Sequence, residues 1–130
     1  MSKGFLLDTH ALLWAIYAPE RLRPEVQDIL RDTGVAIFAS AISAYEIALK
    51  HNYGKLDFAA PLAADFLKEI AVPGYAPLSL SVDHARLGGA LQIPHRDPFD
   101  RMLIAQAQIE QLVLISNETL FDRFGVLRFW

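Results

Sequence analysis

The chain has 130 residues, of which 53% are hydrophobic and 21% charged, and it contains no cysteine. This length fits one compact domain over residues 1–130, and the composition excludes disulfides, a thiolate zinc site and a thiol nucleophile. The formal net charge of −3 argues against non-specific binding of nucleic acid, which depends on lysine and arginine. Any chemistry on nucleic acid must therefore be local, and it requires a cation that neutralises nearby acids.

Short apolar runs alternate along the chain with segments of helical periodicity. The predicted elements, in order, are a strand at 4–7, helices at 9–17 and 24–30, a strand at 35–39, helices at 43–52 and 61–70, a strand at 75–80, a helix capped by Ser81 that ends near 91, a helix at 98–111, a strand at 112–115, a short helix at 118–124 and an edge strand at 126–129. None of the apolar runs approaches the roughly 20 residues of a membrane span, and the first residues do not resemble a signal peptide.

This alternation predicts an α/β fold with a mainly parallel sheet that is covered by helices on both faces. In such sheets, ligands bind beyond the carboxyl ends of the strands, at the point where the strand order reverses. Acidic residues that follow the strands are therefore the first candidates for a functional site.

Asp8 directly follows the first predicted strand. A carboxylate in a mostly buried position is costly unless it is paired or coordinated, which favours a metal ligand. The alternative is structural, because Asp is a preferred N-cap and a helix is predicted to begin at residue 9 or 10.

Glu46 falls on one stripe of its predicted helix with Ile42, Leu49 and Tyr53. An acid on an apolar stripe is unusual and suggests a functional role. Two structural explanations remain open: the side chain extends to solvent at the edge of the stripe, or it pairs with Lys50 one turn later.

Two acids flank Pro98 at the start of the long predicted helix. Asp97 fits the N-cap and Pro98 the first helical position, and a first-turn position also explains Asp100 without any function. Asp100 shares a stripe with apolar residues that are predicted to face the sheet, so we favour Asp100 as a metal ligand and Asp97 as the cap.

Glu118 follows the strand predicted at 112–115, and here a first-turn acid that stabilises the helix dipole is the stronger explanation. Asp122, one turn later, is interpreted as a solvated charge. Together the acids form an all-oxygen set of ligands, which suits Mg²⁺ or Mn²⁺ better than zinc or copper.

Basic and aromatic residues near the acids carry weaker signals. Lys50, Arg96 and Arg101 are candidates to hold phosphates, although isolated basic residues are usually solvated. His95 is interpreted as a metal ligand, a phosphate contact or a loop residue. His10 and Trp14 lie one turn apart, a spacing more typical of packing than of chemistry.

Three segments, at residues 5–14, 43–50 and 95–107, closely resemble the PIN domain family and, more narrowly, the VapC-type toxins of bacterial toxin–antitoxin pairs. The resemblance spans essentially the whole chain. It implies a three-layer α/β/α fold and a cytoplasmic ribonuclease that requires Mg²⁺ or Mn²⁺. It also implies a cognate antitoxin, an RNA substrate (tRNA, mRNA or rRNA) and a homodimer.

The resemblance identifies Asp8, Glu46 and Asp100 with the first three acids of the family. The fourth is normally the Asp of a Thr-x-Asp pattern, where this chain has Ser116-Asn117-Glu118, so both residues of the pattern are changed. Asp8 and Asp100 are predicted to bind the metal directly, and Glu46 and Glu118 to bind it through water. Further candidates for contact with substrate or support of the acids are Thr9, Ser43, Arg96, Asp97, Arg101 and Ser116.

Two other functions are compatible with parts of this pattern. A phosphatase of the haloacid dehalogenase type would use Asp8 as its nucleophile, but that family has another Asp two positions later, where this chain has His10. A non-catalytic PIN-like module that binds RNA or protein would explain the changed fourth acid.

Overall fold

The computed structural model describes residues 3–94 and 97–130. Within these residues, five strands form one sheet in the order β3-β2-β1-β4-β5, and every neighbouring pair is parallel. The strands are β1 (Phe5–Leu7), β2 (Ile37–Ser40), β3 (Ala76–Leu78), β4 (Val113–Ile115) and β5 (Arg128–Phe129). This arrangement confirms the predicted α/β fold.

Seven α-helices connect the strands in the described part of the chain. They are α1 (Thr9–Tyr17), α2 (Pro24–Arg31), α3 (Ala41–Asn52), α4 (Ala60–Ala64), α5 (Phe66–Ala71), α6 (Val82–Ala90) and α7 (Pro98–Glu110). Short 3₁₀ helices lie at Pro19–Arg21, Asp57–Ala59 and Thr119–Arg123. No helix among the described residues is both long and apolar enough to cross a membrane.

The sheet separates two apolar cores, because successive side chains of a strand point to opposite faces. Leu7 belongs to a core that it shares with residues of α1, α2 and α4. Its neighbour Leu6 belongs to a second core, which contains Leu103 and Ile104 of α7. Helices thus cover both faces of the sheet, as in the three-layer α/β/α sandwich that the sequence predicted.

Side-chain caps fix the starts of several helices. Ser81 and His84 form a reciprocal capping box at α6, with both hydrogen bonds at 3.0 Å. Ser40 accepts a hydrogen bond from the N–H of Ile42, so α3 begins at Ala41, two residues before the predicted start. The final predicted helix is a 3₁₀ segment, and strand β5 is shorter than predicted.

The prediction of one helix at 61–70 is wrong. The chain forms α4 and α5 instead, because the backbone is not helical at Asp65, with φ −149° and ψ 80°. The Asp65 side chain accepts a hydrogen bond from the N–H of Lys68 at 3.2 Å and so begins a new helix. Aspartate side chains compete in this way with the main-chain bonds of a continuous helix.

The strand order reverses at the centre of the sheet. Strand β1 pairs with β2 on one side and with β4 on the other, and Leu7 lies opposite Ile115. Asp8 and Ser116 directly follow these two residues, and the Asp8 N–H donates to the carbonyl of Ile115 at 3.1 Å. The carboxyl ends of β1 and β4 therefore form the crevice in which ligands of parallel sheets bind.

Candidate functional site

A cavity of about 330 Å³ lies at the carboxyl ends of β1 and β4. All four predicted acids line it, although they come from separate parts of the chain. The acids are Asp8, Glu46, Asp100 and Glu118. Its other lining residues are Thr9, His10, Leu13, Trp14, Lys50, Leu56, Asn117 and Phe121.

Asp8 is the most buried of the four acids, with 7% of its surface exposed. Its Oδ1 accepts a hydrogen bond from the N–H of Ala11 at 2.7 Å, so it is indeed the N-cap of α1. The pKa of Asp8 is raised to about 6, mainly by burial and to a smaller extent by the negative charges of Asp100 and Glu46. Hydrogen bonds from Ser116 and Ala11 act in the opposite direction and lower this pKa. A cap role alone would not require so unfavourable an environment for the ionised carboxylate.

Glu46 is buried on α3 and forms an ion pair with Lys50 one turn later. This is the pairing that the sequence offered as a structural explanation. The same carboxylate also lines the cavity, and 44% of the Lys50 side chain is exposed. The ion pair therefore lies at the cavity and not on a remote face of the helix.

The structure assigns different positions to the two acids that flank Pro98. Asp97 is exposed, and its Oδ1 accepts hydrogen bonds from the N–H groups of Phe99 (2.9 Å) and Asp100 (3.3 Å), which confirms it as the N-cap of α7. Asp100 is half-buried and lines the cavity, whereas Asp97 does not. Leu103, Ile104 and Ala107 are buried as predicted from their common stripe.

Glu118 is exposed and caps the last 3₁₀ helix by accepting a hydrogen bond from the N–H of Leu120 at 3.1 Å. Ser116 is fully buried, and its Oγ accepts from the N–H of Glu118 at 2.9 Å. Ser116 therefore contacts the first and the last of the four acids, since it also bonds to Asp8. Asp122, predicted as a solvated charge, is exposed but forms an ion pair with Arg128.

Two predicted polar residues connect the helices that carry the acids. The hydroxyl groups of Thr9 and Ser43 lie 2.9 Å apart, and both residues are buried. Thr9 adjoins Asp8 on α1, and Ser43 lies one turn before Glu46 on α3. This hydrogen bond fixes the distance between the two helices at the cavity.

The basic residues that the sequence offered as contacts for phosphate or substrate differ in what the structure shows of them. The Arg101 guanidinium donates to the main-chain carbonyls of four residues, Gly88, Gly89, Leu91 and Ile93, at 2.7–3.2 Å. Arg101 thereby ties α7 to the end of α6, and it does not line the cavity, so its contact with substrate stays a prediction. The prediction missed these bonds because the carbonyls are brought to Arg101 only by tertiary packing. His95 and Arg96 lie outside the described residues.

Asn117 lines the cavity although it was not predicted as a site residue, and Lys50, which the sequence offered only as one of three candidates to hold phosphate, lines it too. The spacing of four from Glu46 was the signal that distinguished Lys50. Asn117 lies between Ser116 and Glu118, so the changed fourth-acid pattern already pointed to it. The His10 and Trp14 rings pack edge to face at the cavity, with centroids 4.5 Å apart, as their spacing predicted.

Among residues 3–94 and 97–130, no three His, Asp or Glu side chains are arranged as a ready set of metal ligands. The acids share a cavity without converging on one point. A larger cavity of about 550 Å³ lies at the amino ends of β2 and β3, where Val35 and Tyr75 line it. Asp32 is its only acidic lining residue among those the structure describes, so the smaller cavity is the candidate for acid-dependent chemistry.

The fold is shared with several solved structures. VapBC2 from Rickettsia felis, bound to a DNA fragment from its promoter, matches with a TM-score of 0.72 and 16% identity over 96% of each chain. DNA-bound VapBC from Salmonella typhimurium matches with a TM-score of 0.71 and 18% identity, over 98% of this chain and 96% of the other. A toxin–antitoxin complex from Klebsiella pneumoniae matches with a TM-score of 0.61 and 21% identity, over 89% and 88%.

Sequence comparison gives a family but no individual relative. No curated protein matches the chain. The family model described as the PIN domain matches residues 5–127, which is nearly the whole sequence. The chain belongs to the PIN domain family.

Proposed function

We propose that this protein is a Mg²⁺- or Mn²⁺-dependent endoribonuclease and the toxin of a type II toxin–antitoxin pair. The observation that carries the proposal is the placement of Asp8, Glu46, Asp100 and Glu118 around one cavity at the reversal point of a parallel sheet. Membership of the PIN domain family supports nuclease chemistry at this cavity. The structural neighbours described as VapBC and as a toxin–antitoxin complex support the role as a toxin.

The donor set fits a hard divalent cation. All four acids offer oxygen, which Mg²⁺ prefers, and Mg²⁺ usually keeps several waters and takes only one or two carboxylates from the protein. A site of this kind does not require three side chains that already converge. In the proposed arrangement Asp8 and Asp100 hold the metal directly, and Glu46 and Glu118 hold its waters.

When bound, the metal would supply a water of lowered pKa and would screen the charge of the scissile phosphate. The protein's own residues prepare this chemistry. The N–H of Ala11 and the hydroxyl of Ser116 hold Asp8 in one orientation, and the bond between Thr9 and Ser43 sets the position of Glu46 relative to it. By the family resemblance, hydrolysis leaves a 5′-phosphate and a 3′-hydroxyl.

The proposal includes two partners besides RNA. The antitoxin is a separate protein that covers the acidic cavity and so blocks cleavage. A second copy of the chain forms a homodimer, as the family resemblance implies. The RNA is a tRNA, an mRNA or an rRNA, selected by the shape of its single-stranded loops and by local contacts.

The test is incubation of the purified chain, free of antitoxin, with total RNA in Mg²⁺, in Mn²⁺ and in EDTA. We expect discrete cleavage that requires metal and that falls by more than about 100-fold in Asp8→Asn, since even the supports of metal ligands are worth about 10- to 100-fold. Asp83→Asn is the matched control, because Asp83 is an exposed acid of α6 that does not line the cavity.

Two other outcomes would replace the proposal. RNA binding without cleavage, unaffected by Asp8→Asn, would indicate a non-catalytic binding module. A phospho-aspartate trapped on Asp8 would indicate a phosphatase. A melting temperature that does not rise in millimolar Mn²⁺ would argue against the metal site, because a ligand that binds the native state stabilises it.

A further inference from the structure

Lys50 is the only lysine or arginine among the described residues that line the acidic cavity. Four carboxylates share that cavity with this one ammonium group. An RNA backbone that enters the cavity brings more negative charge, so contacts with positive groups become decisive there. The question is therefore what Lys50 contacts once RNA is present.

Two other described cations near the site, Arg101 and Arg128, are already engaged with the protein. The Arg101 guanidinium donates to four main-chain carbonyls, as described above. Arg128 forms an ion pair with Asp122 and donates to the carbonyl of Ser116 at 3.0 Å. Each of these bonds serves the fold, and neither residue lines the cavity.

Lys50 differs in having a partner that a metal ion would also attract. Its ammonium group pairs with Glu46, which is buried and requires a counter-charge when no metal is present. The Lys50 side chain is nearly half exposed, so its ammonium group can reach another anion once a metal ion supplies the counter-charge that Glu46 requires. Lysine also reaches phosphates as a mobile point charge on a flexible stem.

We propose that Lys50 is a phosphate-binding residue for the RNA substrate and that it exchanges Glu46 for a backbone phosphate when a divalent cation neutralises Glu46. This inference rests on the proposed function. In the metal-free protein Lys50 compensates Glu46, and in the loaded enzyme the same ammonium group holds the RNA backbone beside the acids. Lys50 thus links metal binding to substrate binding.

The test compares Lys50→Met with Lys50→Arg and with Lys68→Met, which removes an exposed charge of α5 outside the cavity. Binding of a labelled phosphorothioate oligouridylate, which resists hydrolysis, is measured by fluorescence anisotropy in Mg²⁺ over a range of salt concentrations. The values of kcat and KM are measured on an oligoribonucleotide that spans a site cut by the wild-type protein. Melting temperatures in Mn²⁺ establish that each variant is folded and binds metal.

We expect Lys50→Met to weaken RNA binding by about tenfold and to reduce the slope of log affinity against log salt by about 1, since one phosphate contact is lost. KM should rise while kcat changes by less than about threefold. Lys50→Arg should keep the wild-type slope, and Lys68→Met should match the wild type in every measurement.

Two results would overturn the inference, and they can be distinguished. If the wild type binds and cuts RNA but Lys50→Met keeps its salt slope and KM, Lys50 does not bind phosphate and the proposed function is unaffected. A fall in kcat alone would have the same meaning, with Lys50 acting only to position Glu46. If the wild type neither binds nor cuts RNA, the proposed function and the inference fail together.

Discussion

Two groups of polar side chains in the described part of the chain include buried members, and they differ in how their charges are satisfied. One is the acidic cavity at the ends of β1 and β4. The other is a network between β2, α6 and α7, made of Ser40, Gln106, His84 and Glu110. Ser40 and Gln106 are fully buried and His84 is 2% exposed, so the network is at least as deep as the cavity.

Each member of the network has a partner of complementary character. The Ser40 hydroxyl donates to the Gln106 Oε1 at 2.6 Å, and the Gln106 amide donates to the carbonyl of Ser79 at 3.3 Å. The His84 Nδ1 accepts from the N–H of Ser81, so its Nε2 carries the proton that bonds to Glu110 at 2.8 Å. A fully satisfied network of this kind rigidifies a fold and offers nothing to a ligand.

The acidic cavity is different because it holds a buried carboxylate, Asp8, beside other carboxylates that oppose its ionisation. Burial and the charges of Asp100 and Glu46 act on the pKa of Asp8 in the same direction. The difference between the two groups teaches that buried polarity by itself does not identify a functional site. A functional site is indicated instead by like charges that are held close together at a cost to the stability of the fold.

The largest effect expected from this difference is a pH dependence of stability in EDTA. Folding raises the pKa of Asp8 from 3.8 to about 6, so the folded protein binds more protons than the unfolded chain between these values. Stability should therefore fall as the pH rises through this window, by about 3 kcal/mol from Asp8 alone. Urea unfolding between about pH 4 and pH 8 in EDTA measures this contribution.

Asp8→Asn is the control for this prediction, because it keeps an oxygen that accepts from Ala11 and removes the charge. The variant should be more stable than the wild type above about pH 6, and the difference should vanish near pH 4. Equal stability of the two proteins at pH 8 would show that Asp8 is not destabilised by its surroundings.

The second prediction concerns a variant that breaks the hydrogen-bonded network around Gln106. Gln106→Leu leaves Ser40, His84 and the Ser79 carbonyl without their bonds to Gln106, and an unsatisfied buried polar group costs about 1–3 kcal/mol. We expect a loss of about 2 kcal/mol in urea unfolding and no change in metal-dependent RNA cleavage. Gln92→Leu, at an exposed position, should change stability by less than about 0.5 kcal/mol. A Gln106→Leu protein that unfolds normally but loses cleavage would assign the network to the site.

The fold was predictable where local signals agreed with tertiary structure. The apolar runs at Phe5–Leu7 and Val113–Ile115 are buried on both sides, which is why they are apolar and why they form central parallel strands. Ser81 and Asp97 cap the helices that their residue types predicted. The break at Asp65 was not predictable from periodicity, since the apolar spacing continues through it and a single side-chain hydrogen bond begins α5 there.

The candidate site was predictable because parallel strands all end at the same edge of the sheet. In parallel strands the carboxyl ends lie together, so Asp8 and Glu118, far apart in the sequence, were expected to meet. The stripe of α7 favoured Asp100, whereas the stripe of α3 left the role of Glu46 open and the resemblance to the PIN domain family singled it out. Contacts that depend on the packing of α6 against α7, such as those of Arg101, carry no signal in the sequence.

The smallest effect concerns the two acids around Pro98, which the structure separates into a cap and a cavity residue. Asp97→Ala removes two hydrogen bonds at the start of α7 and should cost about 1 kcal/mol of stability while metal-dependent cleavage is retained. Asp97→Asn, which can still cap, should recover most of that loss. Asp100→Asn should show the opposite pattern, with cleavage abolished and stability kept. Loss of cleavage in Asp97→Asn at unchanged stability would contradict this division, because it would mean that the charge of Asp97 acts at the cavity and not only on the helix.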